Sequence, residues 1–472
     1  MFARAADIRS LDPTAVFDNP SIWAQEQIYE TLYTATADGK GVRPWLATRH
    51  TLSPDKRTWT FELRRGVRFS NGRPLRAADV AYSIDRARKS KDGFGYIDSV
   101  IASVRAPNTH TVVVRTKYPW APLVADLSLF VNGVVPRNLG GRSPAEFFRH
   151  PVGTGPFKVA AWRRGGSLQL RRNRRYWQRG KPYLDRVDFT VVGDDSTRLA
   201  RLRSGDAQIV ESQPASVTAL RRARGATAAV FPSTRIDVLL PNERYKPLAD
   251  VHVRRAIAYA INRRAIVDAV LAGEGRPANS TFPERVPFYN PRNPGLAFDP
   301  ARAKQELARS AYPRGFPLEF LTSSERTYTQ IARGIEQELA PLGIDVMIRT
   351  VAPTDLFALQ QKFDYQLSID VWTMDIPDPD EYAAYSLSPR GGAHAFYTHF
   401  QHPHMTALVQ RAQTTFAPPE RRALYAEIQR LADSLVPQIP LYYSPLVYGM
   451  ARKVHGFRVY PLGNYHLENV HY

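Results

Sequence analysis

The sequence contains no cysteine. Disulfide bonds, zinc–thiolate sites and cysteine nucleophiles are therefore excluded. Long hydrophobic runs are also missing, because no apolar stretch approaches the ~20 residues that a membrane-spanning helix needs. The most apolar segment, residues 123–135, is short and contains Asp126 and Asn132. No apolar segment typical of a signal peptide follows Met1, so we expect either that an export signal was removed or that the protein is cytosolic.

Lysine is scarce, since it accounts for only 11 of the 64 basic residues, and the net charge is +20. A basic chain raises the possibility of nucleic-acid binding. The arginines are spread along the whole chain rather than gathered in one arm, so a general bias towards arginine explains the charge equally well. We therefore expect no nucleic-acid partner, with attraction to anionic membrane surfaces as a side effect.

The first part of the chain has strand and hairpin patterns. Residues 57–63 alternate apolar and polar side chains, which predicts a half-buried strand. Residues 77–89 place Val80, Ile84 and Ala87 on one face, which predicts a helix. Further strands are predicted at 109–116, 157–162, 183–192 and 207–210, with a helix at about 196–203.

A different pattern begins near residue 236. Asp250 and Asn262 are each predicted to cap a helix. An alternation of helix and strand follows from residue 300 to 350, which favours a sheet flanked by helices. A long helix at 418–434 then precedes a strand-like segment at 439–450. With 472 residues the chain is long enough for two to three domains.

Several motifs, in this order along the chain, resemble those of one family. They are Ser10-Leu11-Asp12-Pro13, Ile28-Tyr29-Glu30-Thr31-Leu32, residues 59–72 followed by Ala77-Ala78-Asp79-Val80, residues 151–157, residues 172–177, residues 250–257 and residues 372–380. Together they resemble the oligopeptide/dipeptide-binding proteins of ABC transporters, which are solute-binding proteins of family 5.

The resemblance implies an α/β, two-lobed, periplasmic-binding-protein-like clamp of type II, cluster C, with an extra subdomain in the first lobe. The implied pieces of the first lobe are residues 1–38, the extra subdomain at 39–152, residues 153–236 and the C-terminal strands at 444–472. Residues 237–443 would form the second lobe. Extended hinges are expected near residues 233–238 and 441–446.

Two positions depart from the family pattern. Arg76 stands where the family has a threonine or serine that caps the next helix. An arginine side chain cannot accept that hydrogen bond, so we expect a local cost of ~1 kcal/mol. Ile376 stands where many members have tyrosine, which changes the expected pocket wall.

The resemblance also names candidate ligand-binding residues. Asp375, three residues after Trp372, matches the aspartate that receives a peptide's α-ammonium group, and a carboxylate in a drying cleft binds a cation strongly. The alternative is a loop aspartate that caps backbone amides. Trp372 and Thr373 would flank the ligand, although Trp372 could also fill the core. The backbone of the loop Phe17-Asp18-Asn19 would pair with an extended ligand, or serve as an ordinary connection.

Two further groups of residues suggest a functional site but also have a structural interpretation. His394, His399, His402 and His404 suggest a metal site, but His402 matches a helix start in the family and is more simply a cap, so no metal is expected. Residues 153–155 suggest a phosphate-binding loop. They lack the P-loop lysine and favour a tight turn before the strand at 157.

We therefore expect an extracytoplasmic substrate-binding protein of an ABC importer that is not an enzyme and needs no cofactor. No G-x-S-x-G or H-E-x-x-H motif is present. The implied partners are a small ligand, most of all a peptide, and permease subunits, with membrane association through a lipid anchor or the permease. We expect a monomer. A nickel chelate, an oligosaccharide or an opine remains an alternative ligand, and a cytosolic ligand sensor on the same fold an alternative function.

Overall fold

The computed structural model describes residues 1–90, 94–389 and 395–472. The chain divides into two compact units. Unit 1 comprises Met1–Pro232, Asp375–Asp378 and Leu446–Tyr472, and unit 2 comprises Ser233–Met374 and Pro379–Pro445. The short segment Asp375–Asp378 thus belongs to unit 1, although sequence reasoning placed it within the second lobe. The finer division, with an extra subdomain at residues 39–152, stays a prediction.

A seven-stranded mixed sheet forms the centre of unit 1, in the order β12-β19-β11-β1-β10-β9-β8. Its strands are β1 (Phe2–Arg4), β8 (Phe157–Arg163), β9 (Ser167–Arg172), β10 (Arg186–Val191), β11 (Ile209–Ser212), β12 (Ala226–Phe231) and β19 (Leu446–Ala451). The central strand β1 is parallel to both of its neighbours. Its Phe2 packs in the core against Phe189, Tyr448 and Tyr465.

Two smaller antiparallel sheets complete the β-structure of unit 1. One pairs β2 (Tyr33–Ala35) with β3 (Val42–Pro44), and the other has four strands in the order β4-β5-β7-β6. The four are β4 (Ala47–Leu52), β5 (Thr58–Leu63), β6 (Ile101–Asn108) and β7 (Thr111–Thr116). In β5 alternate residues are buried, as the sequence pattern predicted.

The helices of unit 1 are α1 (Asn19–Gln25), α2 (Ala77–Lys89), α3 (Leu123–Asp126), α4 (Pro144–Arg149), α5 (Asp195–Ser204) and α6 (Val217–Arg221). Helix α2 has the predicted bounds and buries the predicted face, Val80, Ile84 and Ala87. The side chain of Arg76 makes no capping hydrogen bond, as expected. Asp79 compensates, because its carboxylate accepts a hydrogen bond from the Arg76 backbone N–H at 2.9 Å.

Unit 2 contains a six-stranded sheet in the order β14-β18-β13-β17-β15-β16. Its strands are β13 (Ile236–Pro241), β14 (Arg276–Pro277), β15 (Pro317–Ser323), β16 (Asp345–Val351), β17 (Leu367–Trp372) and β18 (Ile439–Tyr443). Strand β13 is buried along its whole length. The predicted strand-like segment at 439–450 is two strands, β18 and β19, which belong to different sheets. Pro445 separates them, and it has no N–H to continue a ladder.

The helices of unit 2 are α7 (Lys246–Ala249), α8 (Val251–Ala260), α9 (Arg263–Val270), α10 (Pro300–Arg309), α11 (Arg326–Leu339), α12 (Pro353–Gln361), α13 (Asp380–Ser386), α14 (Pro403–Thr414) and α15 (Pro418–Leu435). Asp250 and Asn262 cap α8 and α9, which confirms both predicted caps. Buried Arg254 donates hydrogen bonds to the Leu435 and Val436 carbonyls at the end of α15. Part of the arginine excess therefore satisfies buried backbone groups.

A candidate ligand-binding cavity in unit 1

Unit 1 contains a cavity whose wall is formed by several separate segments of the chain. The end of helix α1 contributes Gln25 and Glu26, the segment that follows contributes Glu30, and the C-terminal segment contributes Tyr465. Asp375 completes this part of the wall.

Helix α1 fixes the position of Glu26. The Asp18 carboxylate caps the helix by accepting a hydrogen bond from the Ser21 N–H at 2.9 Å. Glu26 is the C-cap residue, and its N–H donates to the Ile22 carbonyl at 3.1 Å. The short helix, capped at its N-terminus by Asp18, therefore places the Glu26 backbone at the cavity wall.

Two glycines allow the segment after α1 to pack closely. The N–H of Gly155 donates to the Ile28 carbonyl at 2.9 Å, and a Cβ atom at Gly153 would lie 1.9 Å from the same oxygen. Only glycine permits this approach. The predicted structural role of residues 153–155, ahead of the strand that begins at Phe157, is confirmed.

The C-terminal segment brings Tyr465 to the same wall. The Gln27 Nε2 donates to the Tyr465 carbonyl at 2.9 Å, and Gly463 adopts a positive φ of 86°. A Cβ at Gly463 would lie 2.4 Å from the Trp23 ring, so this turn also requires glycine.

Glu26 and Asp375 form an acidic pair in the cavity. Burial, and to a lesser extent the charge of Asp375, raises the pKa of Glu26 to about 8. Burial raises the pKa of Asp375 to about 7. Both side chains are partly exposed, whereas the Glu26 Oε2 atom is inaccessible to solvent. A cation placed between them would favour the ionised form of both carboxyls.

Glu30 serves a different purpose, because the wall satisfies its carboxylate. It accepts hydrogen bonds from Trp45 Nε1 at 2.8 Å, Tyr176 Oη at 3.0 Å and Trp177 Nε1 at 2.9 Å. Burial raises the pKa of Glu30 to about 7, against the lowering effect of these bonds. This network holds the wall together.

Several buried polar atoms around the cavity have no hydrogen-bond partner among residues 1–90, 94–389 and 395–472. They are Gln25 Oε1, Glu26 Oε2, Asn464 Oδ1, Tyr465 Oη and His466 Nε2. Buried polar atoms normally have partners, and unmet ones cost ~1–3 kcal/mol each. Three of the five atoms are acceptors only: Gln25 Oε1, Glu26 Oε2 and Asn464 Oδ1.

Of the six residues predicted to bind ligand, only Asp375 lines this cavity. Asp18 is the N-cap of α1 and Asn19 its first residue. Phe17 is 50% exposed, and its ring lies 5.7 Å from that of Phe94. A contact between ligand and the backbone of this loop stays a prediction.

Trp372 and Thr373 belong to unit 2. Trp372 ends strand β17 and is 7% exposed. Its ring lies 4.8 Å from Tyr385 and 5.3 Å from Phe396. Trp372 therefore fills an aromatic cluster, which was one of its two predicted roles. Ligand contact by either residue stays a prediction.

The predicted histidine cluster does not assemble in the part of the chain that the structure describes. His402 caps α14, since its Nδ1 accepts from the Met405 N–H at 3.3 Å, which confirms the predicted cap. His404 lies 3.5 Å from Glu427, and the His399 ring lies 4.1 Å from that of Phe363. His394 lies outside the described residues. Within those residues no group of three or more metal-ligating side chains comes together.

Sequence reasoning missed Glu26 and Tyr465. Glu26 lies two residues before the Ile28–Leu32 motif, and Tyr465 lies in the C-terminal segment that follows strand β19. A carboxylate next to a recognised motif was the only available signal for Glu26. Tyr465 had no such signal, since it reaches the cavity through tertiary packing.

Comparison with known proteins identifies the class to which this fold belongs. The structure superimposes with a TM-score of 0.88 on the ABC transporter-associated periplasmic binding protein DppA from Helicobacter pylori in complex with the peptide STSA. The two are 26% identical, and the match covers 100% of this chain and 97% of that one. The fold is therefore the mixed α/β, type II periplasmic-binding-protein fold, as predicted.

The family follows from the sequence comparisons. The model for bacterial extracellular solute-binding proteins, family 5 Middle, matches residues 41–394. The dipeptide-binding protein of Escherichia coli is 27% identical over 492 residues, which cover 96% of this chain and 92% of that protein. A structure of AgaA from A. tumefaciens in complex with agropinic acid is 25% identical with a TM-score of 0.88, and covers 100% of this chain and 98% of that one.

This chain belongs to family 5 of the bacterial extracellular solute-binding proteins. It is a substrate-binding protein of an ABC importer, as the sequence motifs predicted. None of the helices in the described residues has the length and apolar character needed to cross a membrane.

Proposed function

We propose that this protein captures peptides that carry a free amino terminus, and that Asp375 receives the α-ammonium group. The observation that carries this proposal is the position of Asp375 in a cavity whose wall also contains Glu26. A buried ammonium group needs a carboxylate partner, since an unpaired buried charge is very costly. A cavity wall that contains carboxylates can meet that requirement.

The ligands of the related proteins support a peptide as the ligand of this protein. The Escherichia coli relative is a dipeptide-binding protein, and the Helicobacter pylori structure contains the peptide STSA. An opine is the second candidate, because the AgaA structure contains agropinic acid. The acidity of the cavity favours the peptide, whose amino terminus is cationic.

The protein would hold its ligand without transforming it and pass it to a permease outside the cytoplasm. No covalent step is part of the proposed cycle. We further propose that the protein acts as a monomer and meets the membrane through a lipid anchor or through the permease itself.

Native mass spectrometry of the protein purified without refolding tests the ligand class. We expect a bound species whose mass, after release and fragmentation, is that of short peptides with reactive amino termini. Recovery of a sugar, a metal chelate or an opine in stoichiometric amount would contradict the peptide proposal.

A further inference from the structure

Two exposed histidines, His455 and His471, are paired on the surface of unit 1. They form an antiparallel bridge, in which the His455 N–H donates to the His471 carbonyl at 2.9 Å and the His471 N–H donates to the His455 carbonyl at 3.0 Å. Residues paired in this way direct their side chains to the same face of the ladder. Neither histidine belongs to the wall of the candidate ligand-binding cavity.

The two imidazole rings are close enough to share one metal ion. Their centroids lie 5.7 Å apart, and the angle between the ring planes is 34°. An imidazole nitrogen binds Zn²⁺ at ~2.1 Å, which places the ring centroid ~3.2 Å from the metal. Two rings on one ion therefore have centroids separated by at most ~6.4 Å. The separation of the two histidine rings falls within this limit.

The structure also fixes which nitrogen of the neutral His471 ring is available. Its Nδ1 lies 3.1 Å from the Asn469 carbonyl oxygen. A carbonyl oxygen can only accept a hydrogen bond, so Nδ1 carries the proton and Nε2 keeps its lone pair. Histidines that bind metals commonly donate their other N–H to a carbonyl or carboxylate, because this bond fixes the tautomer and orients the ring.

Gly456 provides the space for this arrangement. It adopts a positive φ of 75°, and an added Cβ atom would lie 2.1 Å from the Asn469 carbonyl oxygen and 3.2 Å from His471 Nδ1. A side chain at this position would therefore displace both the ring and the carbonyl that orients it. Tyr183 packs edge-on against the other side of this contact network, with its ring centroid 5.5 Å from that of His471.

The composition of the pair selects the kind of ion. No third histidine, cysteine or carboxylate joins the two rings to make a larger metal-binding group in the part of the chain that the structure describes. The nearby ammonium group of Lys453 lies 5.6 Å from the Tyr472 ring. Two neutral imidazoles suit Cu²⁺, Ni²⁺ or Zn²⁺, whereas Mg²⁺ and Ca²⁺ prefer several oxygen ligands.

We propose that His455 and His471 form a surface site for a divalent transition-metal ion, which each ring binds through one nitrogen. Water fills the remaining coordination positions. Because only a neutral imidazole can bind a metal, protons compete with the ion for the site. This inference goes beyond the proposed function and does not depend on it, since neither histidine is assigned a role in holding the peptide.

Calorimetric titration of Cu²⁺ into untagged, metal-free protein tests the inference, because Cu²⁺ binds most strongly in the first-row series. We expect one site whose affinity falls about 100-fold or more in either His455→Asn or His471→Asn, since two linked ligands bind far more tightly than one. Electron paramagnetic resonance should detect two imidazole nitrogens on Cu²⁺ in the wild-type protein and one in each variant. Mg²⁺ should produce no heat that depends on either histidine.

His150→Asn is the control, because His150 is an exposed histidine of unit 1 outside this pair and its replacement should leave the Cu²⁺ affinity unchanged. Equal Cu²⁺ affinity of the wild-type protein and the two single variants would overturn the inference. An equal loss of affinity in His150→Asn would overturn it as well, since the ion would then be distributed over surface histidines. Fewer than two imidazole nitrogens on Cu²⁺ in the wild-type protein would overturn it whether or not the variants fold.

Discussion

Glu26 and Asp375 lie at the wall of one cavity in unit 1, and the charge of Asp375 contributes to the raised pKa of Glu26. One residue ends the first helix of the chain, and the other follows strand β17. Each carboxylate disfavours ionisation of the other, and burial raises the pKa of both.

Replacing Tyr465 with phenylalanine should separate binding from stability. The Tyr465 hydroxyl is buried and has no partner among the described residues, so its loss should not lower the free energy of unfolding. The same change should weaken binding of an amine-bearing dipeptide about tenfold. Denaturant unfolding and calorimetry measure the two effects.

Tyr176→Phe is the matched control for Tyr465→Phe. Its hydroxyl donates to Glu30 at 3.0 Å in the same wall, so this variant should lose ~1 kcal/mol of stability or more. If Tyr465→Phe lost as much stability as Tyr176→Phe and no affinity, the hydroxyl would be structural.

Asp98 should make stability depend on pH. It is fully buried, and burial raises its pKa to about 8. A carboxyl whose pKa is raised on folding contributes stability that is complete below its unfolded pKa of ~4 and is lost as pH rises towards the folded pKa. We therefore expect unit 1 to become less stable between pH 4 and pH 8, and Asp98→Asn to remove that part of the dependence. Urea unfolding from pH 4 to pH 8 measures it, and an unchanged slope in the variant would contradict this account of Asp98.

Gly153→Ala should destabilise unit 1. The added Cβ would lie 1.9 Å from the Ile28 carbonyl oxygen, so the backbone on one side must move, and overpacking of this kind costs ~1–3 kcal/mol or more. Gly41→Ala is the control, because its Cβ would meet no atom of the described residues within 4 Å and its φ is not positive. Thermal unfolding of both variants checks the difference, and equal melting temperatures would refute the close approach.

Incubation with ligand should leave a peptide intact. The proposed cycle contains binding and release, so calorimetry should show stoichiometric binding and chromatography should recover the whole peptide. The Asp375→Asn variant tests whether any cleavage comes from the cavity. If protein free of contaminating peptidases cleaved the peptide and Asp375→Asn did not, the cavity would be catalytic.

Elements with strong local patterns could be predicted from the sequence. Helix α2 has the predicted bounds because its apolar spacing and its Asp79 cap both act locally. The loss of the usual cap at Arg76 was foreseen, but its compensation by the Asp79 carboxylate depends on side-chain geometry. The strand pattern alone gave no break between β18 and β19, and only the family resemblance implied a hinge near residues 441–446. In the structure Pro445, which has no backbone N–H, lies between the two strands.

The candidate site could be predicted only where a motif marked it. Asp375 follows a recognisable Trp372 motif, whereas Glu26 and Tyr465 come from opposite ends of the chain and meet only in the folded unit. Their convergence depends on close packing at Gly153, Gly155 and Gly463, which no local pattern encodes. Residues that are distant in the chain and meet in one cavity can be identified only from the three-dimensional structure.

The pairing of Asp375 with a ligand ammonium group is tested most directly by a double-mutant cycle, with norleucyl-leucine and its N-acetyl derivative titrated into the wild-type protein and Asp375→Asn. Asp185→Asn is the control, because its side chain is 84% exposed. The account predicts that Asp375→Asn and N-acetylation each weaken binding by ~2–4 kcal/mol, the range for breaking a buried charge pair, and that acetylation adds little once Asp375 is gone. Undiminished binding of norleucyl-leucine to Asp375→Asn, or fully additive losses, would contradict it.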